Sequence, residues 1–192
     1  MNNDLTFELK RQAFHFLLGT TIAAAVYFLK PAYGTLVAVP ILLGVAVMLV
    51  IPKIRIQLHL SEKLLYHFER EQDKKTFPYK GAILFGLGVT PPILFLPTAL
   101  AAATIITLSV GDSFSTIIGK TYGKHKIGRK SVEGAIGFAV TAFLAANLFT
   151  NPTAAARLAL IGAIIELDHK IDDNISIPWG LTILYYLIPT LF

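Results

Sequence analysis

The sequence predicts an all-α fold, a polytopic transmembrane helix bundle of about seven spans with a cytoplasmic amino terminus, on three observations. Apolar residues make up 54% of the 192 positions and charged residues only 15%, against roughly 25% in soluble domains. The charges sit mostly in short stretches between long apolar runs. Fifteen of the seventeen Lys and Arg fall in every second connection, an asymmetry that marks the cytoplasmic side of a membrane protein.

Composition narrows the function classes. A mean hydropathy of +0.62 excludes a disordered chain, and the absence of cysteine excludes a disulfide scaffold, a thiolate metal site and a cysteine nucleophile. The pI of about 9.4 and net charge of +5 read as topological charge in so apolar a chain, not as nucleic-acid affinity. Aromatic residues lie mostly in or beside the spans, where packing and interfacial anchoring account for them.

The spans are 14–29, 32–51, 81–96, 98–118, 132–149, 153–165 and 178–192. Several are only about 15 to 18 residues long, short for a ~30 Å hydrocarbon layer, so flanking residues or local thinning must close the gap. Lys10 and Arg11 lead into the first span, but further hydrophobic spans follow, which excludes reading it as a cleavable signal. Leu58, Ser61, Leu65 and Phe68 recur at helical spacing in the 53–80 connection, predicting an amphipathic segment along the interface, either a plain linker or a substrate lid. Pro91 and Pro92 predict a kink or break in the third span. With no internal repeat or flexible linker, 1–192 reads as one integral-membrane catalytic domain.

An acid inside a span is costly and so marks a functional site, and Asp112 after Gly111 is such an acid. The 25-residue region from Val110 to Gly134 packs glycines 119, 123 and 128 among Lys120, Lys124, Lys126, Arg129 and Lys130. Glycines admit close backbone approach to phosphate, and the cations compensate its charge. Ser131 and Glu133 then open the next helix, whose positive dipole end points toward the same ligand. Gly123 to Ser131 is one residue too long for a P-loop and follows no strand, so that fold is rejected.

A second acidic group, Glu166, Asp168, Asp172, Asp173 and Asn174, precedes Pro178. It lacks the glycine and glutamate of an EF-hand loop, and Mg²⁺ shared with substrate phosphates is the better chemical match. Arg11 and His15 share a helix face at the start of span one, with Arg11 the better partner for phosphate or a lipid headgroup. The remaining histidines have no zinc-site spacing.

These residues resemble the CTP-dependent lipid kinases, which include dolichol, phytol and CTP-using diacylglycerol kinases and are related to phosphatidate cytidylyltransferase-like membrane proteins. Three stretches carry the resemblance: Arg11-x-x-x-His15; Gly111-Asp112-Ser113 through Gly119-Lys120 to Lys130-Ser131-x-Glu133-Gly134; and Asp173-Asn174-Ile175-Ser176-Ile177-Pro178. The resemblance implies transfer of the γ-phosphoryl group of CTP to the hydroxyl of a polyprenol, phytol-like alcohol or diradylglycerol. It implies that Asp112 holds the divalent cation, that Gly119 and the loop around Lys124 and Lys130 receive the triphosphate, and that Glu133, Asp173 and Asn174 complete the site. Arg11, with His15 beside it, would meet phosphate or a headgroup. Either Glu133 or Asp173 would then orient or deprotonate the lipid hydroxyl, with Asp173 a second metal ligand and Lys120 and Ser131 on the nucleotide side. Two rival readings remain: a cytidylyltransferase acting on a lipid phosphate, and a transporter using Asp112 and Glu133 as intramembrane ion ligands.

Overall fold

The computed structural model describes residues 3–54, 69, 71–168 and 170–188, and among these the chain is helical apart from one short two-stranded ribbon. In order the elements are α1 (Asn3–Tyr33), a 3-10 turn (Gly34–Val37), α2 (Ala38–Ile54), α3 (Glu71–Thr76), α4 (Lys80–Phe95), α5 (Thr98–Tyr122), β1 (Lys126–Ile127), β2 (Lys130–Ser131), α6 (Val132–Ala146), α7 (Pro152–Glu166) and α8 (Asp173–Leu187). Among the described residues each apolar run centres on one helix, although the 32–51 run starts in the last turn of α1 and passes through the 3-10 turn into α2. The amphipathic segment around Leu58 to Phe68 lies outside the described residues.

The bundle is organised around α5, which is buried without a break from Leu100 to Ser113 and touches α1, α4, α6, α7 and α8. Its small residues, including Ala101, Ala102, Ala103 and Gly111, let neighbouring helices approach closely. The fully buried ring of Phe138 on α6 fills the space over Gly111 and over Gly162 of α7. Helix α2 packs on α4, outside the central layer.

Five hydroxyls of the helices turn back on their own backbone, whereas those of Thr104 and Thr107 on α5 are buried without a hydrogen-bond partner among the described residues. Thr90, Ser109, Ser113, Thr141 and Thr182 each donate to the carbonyl four residues earlier, at 2.7 to 2.9 Å. At the outer surface, large apolar side chains face outward on every side: Leu17 and Phe28 on α1, Leu43 on α2, Leu144 on α6, Ile164 on α7 and Leu187 on α8. Two stretches, Leu5–Pro52 and Thr98–Tyr122, are long and apolar enough to cross a membrane by length and composition.

Consecutive long helices run up and down. One end of the bundle gathers Lys30, whose ammonium donates to the Leu96 carbonyl, Tyr186, whose hydroxyl donates to Phe95 O at 2.6 Å, and the Tyr27–Phe149 ring pair at 5.2 Å. The other end gathers the start of α1, the end of α5, the ribbon, the end of α7 and the start of α8.

The two prolines of α4 do not break it; the helix runs through them to Phe95. Pro91 leaves the Leu87 carbonyl without its helical donor, and the Trp179 indole N–H on α8 donates to that carbonyl at 3.3 Å. At the next residue, Gly88 meets the Asn174 carbonyl, freed in turn by Pro178, so closely that a Cβ at Gly88 would lie 1.7 Å from the oxygen. Only hydrogen fits there, and the contact pins the first turn of α8 to the middle of α4. Trp179→Phe keeps the ring and deletes the donor. It is expected to lower stability by about 1 kcal/mol, read as a drop in melting temperature of the detergent-solubilised protein, whereas Gly88→Leu is expected to cause a larger loss.

Candidate active site

Three acids from three helices converge at the end of the bundle where α1 begins. Asp112 lies on α5, Glu166 is the last residue of α7 and Asp173 the first of α8, and one carboxylate oxygen from each lies within 4.8 Å of the others. Asp112 and Glu166 are buried and Asp173 half-buried. The Lys130 ammonium, delivered by β2, sits 2.6 Å from Glu166 Oε1 and 2.6 Å from Asp173 Oδ2. Ser115, one turn beyond Asp112, donates its hydroxyl to Glu166 Oε1 at 2.7 Å.

The ribbon places Lys130. Gly128 adopts φ +58° at the first central position of a two-residue turn, as a primed hairpin turn requires, and pairs Ile127 with Lys130 and Lys126 with Ser131. Ser131 then caps α6, its Oγ accepting from Gly134 N at 3.1 Å. Gly119 and Gly123 face that serine: a Cβ would come within 3.1 Å of its Oγ at the first and 2.7 Å at the second. These loop glycines therefore seat the ribbon on the end of α5.

Electrostatics hold the group in a definite state. Burial disfavours the charged form of Lys130, but Asp112, Asp173 and Glu166 outweigh it and hold the ammonium above its ordinary range. Burial and the nearby Asp112 push the Asp173 carboxyl up to about 7, against the pull of Lys130. Three carboxylates against one ammonium leave an excess of negative charge, and Glu166 Oε2, Asp173 Oδ1 and Asn174 Oδ1 are buried without a hydrogen-bond partner among the described residues. An all-oxygen, net-negative donor set with orphaned lone pairs fits a hard divalent cation such as Mg²⁺. Asp112, Glu166 and Asp173 are the residues that would hold it.

The other sequence-derived candidates fall around this centre in different ways. His15 Nε2 lies 3.9 Å from Asp112 Oδ2, its ring edge-on to Phe85 at 4.9 Å. Arg11 is engaged by Glu8, whose other oxygen takes Lys120 at 2.7 Å, tying α1 to the end of α5. Asn174 donates to Asp172 Oδ1 at 2.9 Å. Lys124 is exposed. Glu133 is not part of the carboxylate group; it accepts from His125 Nδ1 at 2.7 Å and from the His125 backbone N–H.

Glu166 takes the third place in the carboxylate group. Its sequence signal was an acid closing an otherwise apolar helix, the same anomaly that singled out Asp112, but it was read as one of several acids in a turn. Ser115 carries no comparable signal, since its partner Glu166 is 51 residues away, and neither does the tie from Glu8 to Lys120, 112 residues apart, although Arg11 lies within a turn of Glu8.

Comparison with known proteins adds a family. The chain is 33% identical over 181 residues to an uncharacterised protein of Methanocaldococcus jannaschii, covering 90% of this chain and 89% of that protein, and it belongs to the same family. It is also similar to the dolichol kinase of Schizosaccharomyces pombe, 33% identical over 91 residues, and to that of Saccharomyces cerevisiae, 32% identical over 104 residues. Those matches cover 42 and 47% of this chain but only 18 and 20% of the kinases, so the chain spans about a fifth of their length. No family model matches the chain. No solved structure matches it either.

Protons and a divalent cation compete for Asp173. Its folded value of about 7 exceeds the ordinary 3.8, so the cation-free protein loses stability as pH rises from about 4 to about 7. Bound cation offsets that loss. Added Mg²⁺ should therefore raise the melting temperature more at pH 8 than at pH 5.5, and Glu166→Gln should shrink the difference.

Proposed function

We propose that this chain is a membrane-embedded, divalent-cation-dependent kinase that moves the γ-phosphoryl group of CTP to the hydroxyl of a lipid alcohol. One observation carries the proposal: Asp112, Glu166 and Asp173 meet, with Lys130 between them, at one end of an outwardly apolar helix bundle. The partial similarity to dolichol kinases supports the reaction class, and the choice of CTP rests on the motif resemblance described above. The outward-facing apolar side chains support an integral, multi-pass location. The alternation of basic residues supports a cytoplasmic active face.

Phosphoryl transfer demands alignment and charge neutralisation more than covalent chemistry. A divalent cation held by the three carboxylates would supply Lewis-acid neutralisation of phosphate oxygens. Lys130, fixed by two carboxylates, presents a permanent positive charge beside them, while Lys120 and the exposed Lys124 extend that charge toward the solvent where a nucleotide arrives. The acceptor oxygen bonds to the γ-phosphorus as the bond to the bridging oxygen of CDP breaks. Of the two acids considered for orienting the acceptor hydroxyl, Asp173 lies in the group and Glu133 is engaged by His125, which favours Asp173.

Isotope position tests the reaction. With γ-labelled CTP, Mg²⁺ and a panel of polyprenols, phytol-like alcohols and diradylglycerols in detergent, label should appear in the lipid. Label entering the lipid only from α-labelled CTP would instead establish cytidylyl transfer. Asp112→Asn and Asp173→Asn should each lower turnover by about a hundredfold or more, whereas Glu133→Gln should stay within about tenfold of the parent.

A further inference from the structure

A cavity of about 350 Å³ lies between α1, α2 and α4, beside the carboxylate group but separate from it. Its size is that of a small-molecule site, which commonly begins at about 300 Å³. The walls divide by chemistry. Arg11, His15, Asp172 and Asn174 form one polar part, Glu69, Asp73 and Lys80 a second, and Leu18, Val47, Met48 and Phe85 the apolar part. On α1 the lining runs from Arg11 to Leu18, about 10 Å of helix at 1.5 Å per residue, leading from the active end of the bundle into its apolar zone.

Three further observations concern the occupant. His15 borders both spaces: it lines the cavity, and its Nε2, 3.9 Å from Asp112 Oδ2, is buried without a hydrogen-bond partner among the described residues. Val47 lines the cavity yet is 52% exposed, so the wall it forms is thin toward the apolar exterior. Gly44 and Gly81 line the cavity from α2 and α4, and a Cβ at either would meet nothing within 4 Å. Unlike Gly88, these glycines permit no close packing; they leave volume empty.

From this we propose that the cavity is the acceptor site, holding the first part of a lipid alcohol's apolar chain and presenting its hydroxyl to His15 Nε2 beside Asp112. The inference rests on the kinase reading for its chemistry and assigns that reaction its acceptor route. The polar part around His15 takes the hydroxyl, the apolar part takes roughly 10 Å of chain, and the remainder of the lipid leaves past Val47. Chain length beyond that distance is not read by the protein. An unpaired buried nitrogen also gives discrimination, because a lipid lacking the hydroxyl leaves it unpaired.

The test fills the cavity and follows the lipid directly. A long-chain alcohol carrying a photoactivatable diazirine near its hydroxyl end is bound to the full chain in detergent, irradiated, and the labelled residues located by mass spectrometry. Label on Leu18, Val47 or Met48, lost in Gly44→Phe and in Gly81→Leu, supports the proposal. So does a rise of about tenfold or more in the KM for the alcohol in those variants with the KM for CTP unchanged. Two glycines on different helices guard against one variant failing to fold. Label confined to outer positions such as Leu144 and Leu160, or undiminished in both folded variants, overturns it. Labelling needs no turnover. A cavity that labels in a protein unable to transfer γ-phosphate would uphold the lipid site and remove the kinase, whereas phosphate transfer with label elsewhere would do the reverse.

Discussion

Like charges do not gather in an apolar setting without compensation, and the Lys130 contacts to Glu166 and Asp173 are the interaction on which this structure depends. Asp112, Glu166 and Asp173 lie close enough to repel one another, and repulsion inside a bundle is stronger than in water because the surroundings screen it poorly. A single ammonium relieves part of it. Much of the local architecture serves to deliver that ammonium: the Gly128 turn, the two-residue ribbon, the Ser131 cap and the glycines that let the ribbon lie on α5. What remains uncompensated is a negative charge with buried lone pairs, which is what a cation requires.

The scaffold solves the opposite problem, keeping polar backbone satisfied where no water is available. Prolines 91 and 178 each free a carbonyl, and the two helices answer one another: Trp179 donates to the first, and Gly88 packs against the second. The hydroxyls of Thr90, Ser109 and Thr182 turn back on carbonyls of their own helices. These devices let α4 and α8 run side by side, so that Asp173 and Asn174 emerge next to the wall of the cavity. The position of the site thus follows from how two proline-containing helices pack against each other.

Helix positions were legible because charge-free runs are a one-dimensional property, and among the described residues each run centres on one helix. The effect of Pro91 and Pro92 was not legible in the same way, since the donor that rescues α4 lies 88 residues beyond Pro91 on Trp179. Asp112 and Asp173 stood out as acids at the edges of apolar segments and do come together. Glu133 stood out for the same reason and for its place at a helix start, yet His125 on the ribbon engages it, a contact created by a hairpin the sequence did not announce. Among the glycines that spacing marks for phosphate approach, Gly119 and Gly123 lie against Ser131 and Gly128 makes the ribbon turn, contacts that a single sequence does not display. Pairing across distant segments, as between Glu8 and Lys120, leaves no trace in a single sequence.

The four groups that meet at the centre come from positions 112, 130, 166 and 173. No contiguous piece of chain shorter than that span contains them, so the group is complete only when α8 lies beside α5 and α7. During synthesis, then, the carboxylate group is incomplete until α8 docks. A chain ending just before Asp173 carries Asp112, Glu166 and Lys130 but lacks the third acid that closes the group.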